Sequence, residues 1–457
     1  MTEDSSLLAG VSRRIITPPK GIFLIGYGDR TKGNLGVHDD LTATALVLDD
    51  GTTRLAIVAL DILTINEFIV DRVRARLTPT EVLLCCSHTH SGPIAFADDR
   101  SPRKDREYID SLVDKIVEAV WQAQSNLKPA RMEYSSGEAN VGINRREKMP
   151  DGHVEIGRNP GGARDKSVQV VSVFALTPPP SSLRDTPPIF AENGGSRRGV
   201  RVATIVNYAC HGTVLGPDNL LVSADWVGAM RQKVESELGG LTLFLQGAAA
   251  NINPDMYWED ARAYEMAAEQ GLGVAEAVLD AADRGAEKMR AVPLCIERIE
   301  AWLPTETRVT TARPPKNYGK PLLSLAKLPG FMSVFADVLL NQRYPWKSVI
   351  ESKDGFWSVP MRINAVRIGA LALVTFGAET FTEIGMKVKS ASPAAHTLFA
   401  SVSDGCISYL HTEESHNEGG YEVDIAPLAY RYPGRLQAAC ERIALERTKS
   451  ILEDLWS

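Results

Sequence analysis

An α/β fold with mixed β-sheets flanked by helices is the class that the sequence predicts, on two observations. Short apolar runs typical of strands alternate with longer segments whose apolar residues recur at helical spacing, as where "NEFIVDRVRARL" precedes "EVLLCCS". The runs "TATALVLDD" and "TRLAIVALD" flank Gly51, and this Asp-Gly turn predicts a β-hairpin. Strands and helices interspersed along one chain favour a single α/β unit.

Further segments extend this fold in chain order. Strands are expected at "KSVQVVSVFAL", "GVRVATIVNYAC" and "LTLFLQG", and two more within "RINAVRIGALALVTFGAE". Helices are expected at "REYIDSLVDKIVEAVWQAQSNL", "SADWVGAMRQKVESEL" and "DARAYEMAAEQGLGVAEAVLDAADRG", and "GRLQAACERIALERTKSILEDLW" predicts a closing amphipathic helix. We expect residues 1–457 to form one domain. Residues 305–358, with "RPP", "KLPGF" and mixed charge, are expected to be an inserted subdomain or lid, or a helical elaboration at a dimer contact.

Composition restricts the partners and the location. The chain has 457 residues and a formal net charge of -7, and no cluster of Lys and Arg predicts binding to nucleic acid. No apolar run approaches the length of a transmembrane helix, and the N-terminal segment has no secretory-signal pattern. The six cysteines form no CxxC pair, so we expect free buried thiols in a cytoplasmic protein. A homo-oligomer is compatible with the sequence.

Two histidines one residue apart end the apolar run of "VLLCCSHTHSGP". In an extended backbone His88 and His90 would point to the same side, and two converging imidazoles can bind one cation. Zinc favours histidine and carboxylate ligands. A polar turn with structural histidines is the alternative. Asp61, at the end of "RLAIVALD", is a candidate to orient a ligand histidine from behind, or to cap the next element.

The same arrangement recurs three times further along the chain. His211 follows "RVATIVNYAC", Glu379 follows "GALALVTFGA", and Tyr409 follows "HTLFASVSDGCIS". In α/β proteins, sites gather outside the carboxyl ends of strands. Each residue taken alone could instead be a core histidine, a carboxylate at a helix start or a core aromatic. Their concurrence favours a metal site.

These segments resemble the motifs of the neutral ceramidase family. "SHTHSGP" is similar to the family's "THTHSGPGG", "NYACHGTVLGPDNLLVSADWVGAM" to its "ATHGTSM…NxLVSSDNKGYA", and "ISYLHTEESHNEGGYE" to its "GYxTTxEEYxxQxYEG". The segments "ALDIL", "INRRE" and "GAETFTE" also have counterparts, in the same order along the chain. The resemblance implies the catalytic fold of that family and a zinc-dependent amide hydrolase.

The resemblance also implies roles for individual residues. The zinc ligands carried over from the family are His88, His211, Glu379 and Tyr409, with Tyr421 as a second candidate for the tyrosine. His90 matches a histidine that acts as an acid/base or contacts substrate. Arg145, in "INRRE", matches an arginine near the polar head of the substrate.

Two departures separate the chain from the family pattern. Asn253, in "QGAAANINPD", stands where the family's "QSNxGDVSPN" carries a serine. The sequence also ends soon after the closing helix, where the family generally continues into an Ig-like β-domain. The resemblance thus covers the N-terminal catalytic domain only, and it favours a ceramidase-like hydrolase over a true ceramidase.

The predicted activity is zinc-dependent hydrolysis of a linear amide, or N-acyl, bond in a small molecule, in lipid metabolism or elsewhere. A metal-bound water would attack the carbonyl, and His90 would give a proton to the leaving amine. Tyr409 would stabilise the oxyanion, and Arg145 would orient a polar group of the substrate. The alternatives are another metal-dependent hydrolase, acting on an ester or a cyclic amide, and a non-catalytic binding protein that retains the fold.

Overall fold

The computed structural model describes residues 7–28, 30–93, 95, 101–176, 199–255, 262–311, 313–314 and 349–457. The helices are α1 Glu67–Leu77, α2 Arg103–Ser125, α3 Asp225–Leu238, α4 Ala263–Asp283, α5 Thr382–Ala391, α6 Glu413–Glu418, α7 Ala426–Ala429 and α8 Cys440–Trp456, with a π-helical turn at Tyr421–Ile425. None of the described helices is long and apolar enough to span a membrane.

The strands are distributed along the whole described chain. They are β1 Leu8–Ile15, β2 Gly36–Val37, β3 Thr42–Asp49, β4 Arg54–Leu60, β5 Glu81–Cys86, β6 Lys128–Glu138, β7 Gly142–Lys148, β8 Val154–Asn159, β9 Ser167–Ala175, β10 Val200–Tyr208, β11 Leu221–Val222, β12 Leu241–Gln246, β13 Ile252–Pro254, β14 Glu287–Met289, β15 Leu294–Arg308, β16 Glu351–Lys353, β17 Phe356–Ile368, β18 Leu371–Phe376, β19 Glu379–Thr380, β20 His396–Ala400 and β21 Tyr409–Leu410.

A large mixed sheet has the order β12-β10-β9-β6-β1-β3-β4-β5, with β14 paired to β6. Its β3 and β4 are antiparallel and flank Gly51, whose φ is 88°, so the predicted Asp-Gly hairpin is confirmed. The pairs β4-β5 and β10-β12 are parallel. Parallel neighbours need a crossover, and α1 and α3 supply it.

A smaller mixed sheet has the order β15-β17-β18-β20, with β16 paired to β17. Here β18 and β20 are parallel, and α5 forms the crossover between them. The predicted inserted subdomain or lid at 305–358 lies largely outside the described residues. Its described flanks are strand: the end of β15 pairs with the start of β17, at Arg308 and Phe356.

The two sheets pack face to face and carry helices on their outer faces. In β3, Ala43, Ala45 and Val47 pack in the cluster that includes α1 and α2, whereas Leu46 and Leu48 pack in the cluster between the sheets. In the smaller sheet the alternate residues of β17 and β18 likewise face either α5 and α8 or the large sheet. This period of two is what a strand buried on both faces requires. The predicted fold class, mixed sheets flanked by helices, is confirmed.

The carboxyl ends of several strands from both sheets meet at one edge of this sandwich. Just beyond β20, the Ser401 N–H donates to the Gln246 carbonyl at the end of β12 (2.7 Å). Inside the edge, the Asn207 side chain donates to the Phe399 carbonyl (2.9 Å). The short parallel pair β19-β21 then places Glu379 beside Tyr409. Side chains that follow different strands are therefore held close together by backbone.

Candidate metal centre

Backbone pairing beyond the strand ends brings the first two histidine segments together. Thr89 and Gly212 form a parallel bridge, and the His90 N–H donates to the Gly212 carbonyl (3.0 Å). His88 has a φ of 64°, so the chain turns through the left-handed region and is not extended there. The expectation of an extended backbone at His88 and His90 is wrong. The two rings nevertheless come together, with their centroids 5.1 Å apart.

Backbone carbonyls fix the protonation of the two buried imidazoles of His88 and His211. His88 Nδ1 lies 2.8 Å from the Leu63 carbonyl, and His211 Nδ1 lies 2.7 Å from the Ala249 carbonyl. A carbonyl only accepts, so each Nδ1 carries a hydrogen, and the neutral form of each ring has its lone pair on Nε2. Burial, followed by the charge of Arg145, lowers the pKa of His211 to about 4, so this ring is neutral at pH 7.

The unprotonated atoms of three side chains converge. The Nε2 atoms of His88 and His211 are 3.2 Å apart, and Glu379 Oε2 lies 3.2 Å from the first and 3.4 Å from the second. Three lone pairs facing one another repel unless a cation lies among them.

The spacing of these atoms fits a small tetrahedral metal ion. Ligand atoms about 2.0–2.1 Å from zinc, at tetrahedral angles, are about 3.3 Å apart. The three separations observed match that edge length. Glu379 Oε2 also accepts no hydrogen bond from any described residue. Two imidazoles and a carboxylate are donors that zinc favours, so the residues present fit this cofactor.

His90 lies against the same centre. The Nδ1 atom of His90 is 3.1 Å from the Gly26 carbonyl, and its buried Nε2 has no hydrogen-bond partner among the described residues. His88, His90 and His211 each offer a nitrogen atom within 4.8 Å of the others, so geometry also allows His90 as a ligand. Burial, with the neighbouring histidines, lowers the pKa of His90 well below its usual range. Its Nε2 is therefore an acceptor at pH 7.

Arg145 also borders the centre. Its Nη1 lies 3.3 Å from His211 Nε2 and donates to Asn253 Oδ1 at 3.3 Å. Its Nη2 donates to the Tyr409 hydroxyl at 3.3 Å. Burial opposes the charge of Arg145, but Tyr409 and the buried carboxylate of Glu422 raise its pKa. Arg145 is a permanent cation beside the three converging lone pairs.

The two candidate tyrosines lie next to each other. The rings of Tyr409 and Tyr421 are 5.7 Å apart in an edge-to-face arrangement. Burial, together with Glu379, raises the pKa of the Tyr409 hydroxyl well above its usual range. Tyr409 is joined to Glu379 by the β19-β21 pair and to Arg145 by a hydrogen bond, which ties it to the centre. The structure thus brings together all six predicted site residues: His88, His90, Arg145, His211, Glu379 and Tyr409.

Asp61 does not orient a ligand histidine, contrary to one of the two expectations from the sequence. Its carboxylate accepts from the Thr42 N–H and hydroxyl, both at 2.8 Å, and pairs with Arg231 at 2.7 Å. Backbone carbonyls orient both His88 and His211 instead. A sequence pattern cannot show which carbonyl will face an imidazole, because that depends on how the loops fold back.

Three residues at the site were not predicted from the sequence. Gly26 has a φ of 116°, and a Cβ added to it would lie 2.5 Å from His90 Nδ1, so only glycine fits there. Arg30, which is buried, donates to the His90 carbonyl and to the Gly216 carbonyl. Glu422 pairs with Arg145 at 2.9 Å. The sequence offered a hint of two of them. Gly26 precedes an aromatic residue in "LIGYGDR", and Glu422 is the acidic residue that follows two glycines in "GGYE".

Known proteins share this sequence pattern and this fold. Residues 7–150 match the family described as neutral/alkaline non-lysosomal ceramidase, N-terminal. The neutral ceramidase of Pseudomonas aeruginosa is 23% identical over 87% of this chain and 66% of its own length. The neutral ceramidase of Mycobacterium tuberculosis is 27% identical over 48% of this chain and 34% of its own length. The chain thus spans less than two thirds of each of these relatives.

Two solved structures superpose on almost the whole chain. The structure "Ceramidase complexed with C2" has a TM-score of 0.72 at 20% identity, and covers 99% of this chain and 76% of its own. The crystal structure of neutral ceramidase from Pseudomonas aeruginosa has a TM-score of 0.68 at 19% identity, with 99% and 75% covered. At these identities the likeness establishes the fold.

Proposed function

We propose that the chain, whose residues 7–150 match the neutral/alkaline non-lysosomal ceramidase family, is a zinc-dependent hydrolase of a linear N-acyl amide bond. One observation carries the proposal. The unprotonated Nε2 atoms of His88 and His211 converge with the Glu379 carboxylate, at 3.2–3.4 Å, in a buried site. A buried set of this kind is stable when a divalent cation compensates it.

His88, His211 and Glu379 would hold the metal, with the Tyr409 hydroxyl as the fourth protein group. A zinc ion bound there supplies a water nucleophile activated at neutral pH and a Lewis acid for the amide carbonyl. The Leu63 and Ala249 carbonyls, by accepting from Nδ1, keep both imidazoles in the tautomer that presents Nε2.

His90 is placed to transfer the proton that amide cleavage requires. Its unprotonated Nε2 accepts a proton from the attacking water and then gives it to the leaving nitrogen, which departs as a neutral amine. The Gly26 carbonyl, 3.1 Å from Nδ1, orients the ring throughout and stabilises the imidazolium that forms between the two steps.

Arg145 and Tyr409 are placed to stabilise negative charge on the carbonyl oxygen. Both are buried, and the hydrogen bond between Arg145 Nη2 and the Tyr409 hydroxyl holds them together. A donor directed at a developing oxyanion contributes about 3–4 kcal/mol when water is excluded. The same guanidinium could instead orient a polar group of the substrate, which is the role predicted from the sequence.

Asn253 argues that water, and no side chain of the 251–253 segment, is the nucleophile. Its Oδ1 accepts from Arg145 Nη1, which turns the amide nitrogen away from the guanidinium. An amide of this kind cannot attack a carbonyl. The relatives named above are neutral ceramidases, so a lipid amide is one member of the substrate class that we propose.

The remaining parts of the proposal concern the surroundings of the enzyme. We keep a cytoplasmic location as a proposal, supported by six free cysteines. A small-molecule N-acyl substrate and a homo-oligomer in solution are likewise proposals. Neither determines the chemistry described above.

The test is hydrolysis of a matched series of N-acyl amides and esters by the zinc-loaded protein, before and after chelation. We expect amide cleavage to be lost on chelation and restored by zinc. Undiminished amide cleavage by metal-free protein would overturn the proposal. Cleavage confined to esters would favour another metal-dependent hydrolase, and zinc binding without turnover of any substrate would favour a binding protein.

A further inference from the structure

A buried carboxylate lies between two consecutive arginines next to the metal centre. Glu422 is 2% exposed, and its Oε1 accepts from Arg145 Nε at 2.9 Å while its Oε2 accepts from Arg146 Nη1 at 2.8 Å. Both arginines are also buried. A carboxylate that is hydrogen-bonded through both oxygens is fixed in place far more tightly than a surface ion pair.

Glu422 binds Arg145 at Nε and leaves the two Nη atoms to the groups of the centre. The guanidinium is planar, so a bond at Nε determines where the two Nη atoms lie. Those atoms face the Tyr409 hydroxyl, Asn253 and His211, each at 3.3 Å. The orientation of the donor pair towards the reaction therefore depends on the bond at Nε.

The backbone around Glu422 is itself shaped for this position. Glu422 lies in the π-helical turn Tyr421–Ile425, which follows Gly419 and Gly420 with φ values of 71° and 98°. A Cβ added to Gly420 would lie 3.3 Å from Arg146 Nη1, and Arg146 Nη2 donates to the Gly419 carbonyl at 2.8 Å. The turn and Arg146 together fix the carboxylate, and such π turns are frequent at functional sites.

We propose that Glu422 is a positioning residue that acts on the reaction through Arg145, with Arg146 fixing its second oxygen. The inference rests on the proposed function, because it assigns Glu422 to the hydrolytic site. This role differs from a purely structural one, because a buried ion pair need not stabilise the fold. The pair of Glu422 with Arg145 instead determines the direction in which the Nη1 and Nη2 atoms of Arg145 donate.

The experiment is a double-mutant cycle with Glu422→Gln, Arg145→Gln and the double variant, compared with the wild type. We expect Glu422→Gln to lower kcat by about 10- to 100-fold with a smaller change in KM, as partners that orient a site residue do. In the Arg145→Gln background, Glu422→Gln should not lower kcat further. If the fold-losses in kcat of the two single variants multiply in the double variant, the proposal is overturned, because Glu422 then acts independently of Arg145.

The matched control is Glu418→Gln, which removes the other, partly exposed carboxylate 3.3 Å from Arg146. We expect its kcat to be that of the wild type. If Glu422→Gln fails to fold, Glu422→Asp takes its place, since it keeps the charge but shortens the reach to Arg145. A normal kcat in folded Glu422→Asp, or a loss in Glu418→Gln equal to that in Glu422→Gln, would contradict the assignment.

Zinc affinity of the same proteins separates this inference from the proposed activity. Freed from Glu422, the Arg145 cation would compete with zinc for His211, so Glu422→Gln should weaken zinc binding only while Arg145 is present. If the wild type binds zinc but cleaves no amide, the proposed activity fails, and the zinc affinities of the variants decide the inference. The inference is overturned if Glu422→Gln changes zinc affinity equally with and without Arg145, or if the wild type binds no zinc.

Discussion

The Nε2 atoms of His88 and His211 lie 3.2 Å apart, and each imidazole directs its Nδ1 at a backbone carbonyl. In the neutral form of each ring Nε2 therefore carries no hydrogen, and the two lone pairs face each other in a buried site. Glu379 adds a carboxylate oxygen at 3.2 Å from His88 Nε2. A cation bound between them would remove this repulsion.

His90→Asn should abolish most of the activity but leave the zinc in place. The change removes the acceptor Nε2, and a positioned acid/base contributes about 10²- to 10⁴-fold to the rate. The measurement is kcat together with zinc content, with His153→Asn, a change at a half-exposed histidine paired to Asp151 and Glu155, as the control. Loss of stoichiometric zinc from His90→Asn would show that His90 is a ligand.

Tyr409→Phe should weaken zinc binding, whereas Tyr421→Phe should not. Tyr409 pairs with Glu379 in β19-β21 and its hydroxyl accepts from Arg145, so this hydroxyl belongs to the centre. We also expect Tyr409→Phe to lower kcat/KM by about 10²- to 10³-fold through the lost donor. Zinc affinity, measured by competition with a chelator, decides whether Tyr409 or Tyr421 is the ligand. The opposite order of affinities would transfer the role of ligand to Tyr421.

Gly26→Ala should damage the site beyond the cost of backbone strain. The added methyl group would lie 2.5 Å from His90 Nδ1, so the ring must move. Gly152→Ala is the matched control, because Gly152 also has a positive φ, of 93°, but has open space around its Cβ position. The control should lose about 1–2 kcal/mol of stability.

Thermal unfolding and kcat/KM of the two variants are to be compared. We expect Gly26→Ala to lose more stability than Gly152→Ala, and to be the only one of the two with reduced kcat/KM. Equal effects of the two substitutions would mean that Gly26 serves the turn alone and that the position of His90 does not depend on it.

Asp225→Asn should change how stability depends on pH. Burial raises the pKa of Asp225 to about 6 from 3.8, although three backbone N–H groups donate to its carboxylate. Between these values the folded protein binds more protons than the unfolded chain, so this group lowers the free energy of unfolding as pH rises. A shift of about 2 pH units corresponds to about 3 kcal/mol.

The measurement is the free energy of unfolding of both proteins by denaturant at pH 4 and pH 7. Relative to Asp225→Asn, the wild type should lose about 2 kcal/mol between these pH values. The substitution suits the site because asparagine tolerates the left-handed backbone at this position, where φ is 57°. A difference between the two proteins that does not vary with pH would contradict a raised pKa.

The fold class and the clustering of the main candidate residues could be predicted from the sequence because both depend on patterns that are local in the chain. Apolar runs mark the strands, and His88, His211 and Glu379 follow directly after such runs. The meeting of these residues required only that strands from both sheets end at one edge. The hairpin at Gly51 needed only a short local turn between two adjacent strands.

Other parts of the site could not be predicted because they depend on close approach between distant segments. Gly26 is required by the ring of His90, and Glu422 is paired with Arg145 across more than two hundred residues. The left-handed turn at His88 overrides the extended conformation that the preceding strand favours. Asp61 failed as a partner of a histidine because Arg231, on a helix far along the chain, takes its carboxylate.

Metal content is the most direct test of the central claim that His88, His211 and Glu379 form a zinc site. The wild type and His211→Ala, purified under the same conditions, are analysed for bound metal by mass spectrometry, with His153→Ala as control. We expect about one zinc per chain in the wild type and the control, and almost none in His211→Ala. A wild type that takes up no stoichiometric metal, or a His211→Ala variant that keeps it with undiminished affinity, would show that these residues do not form a zinc site.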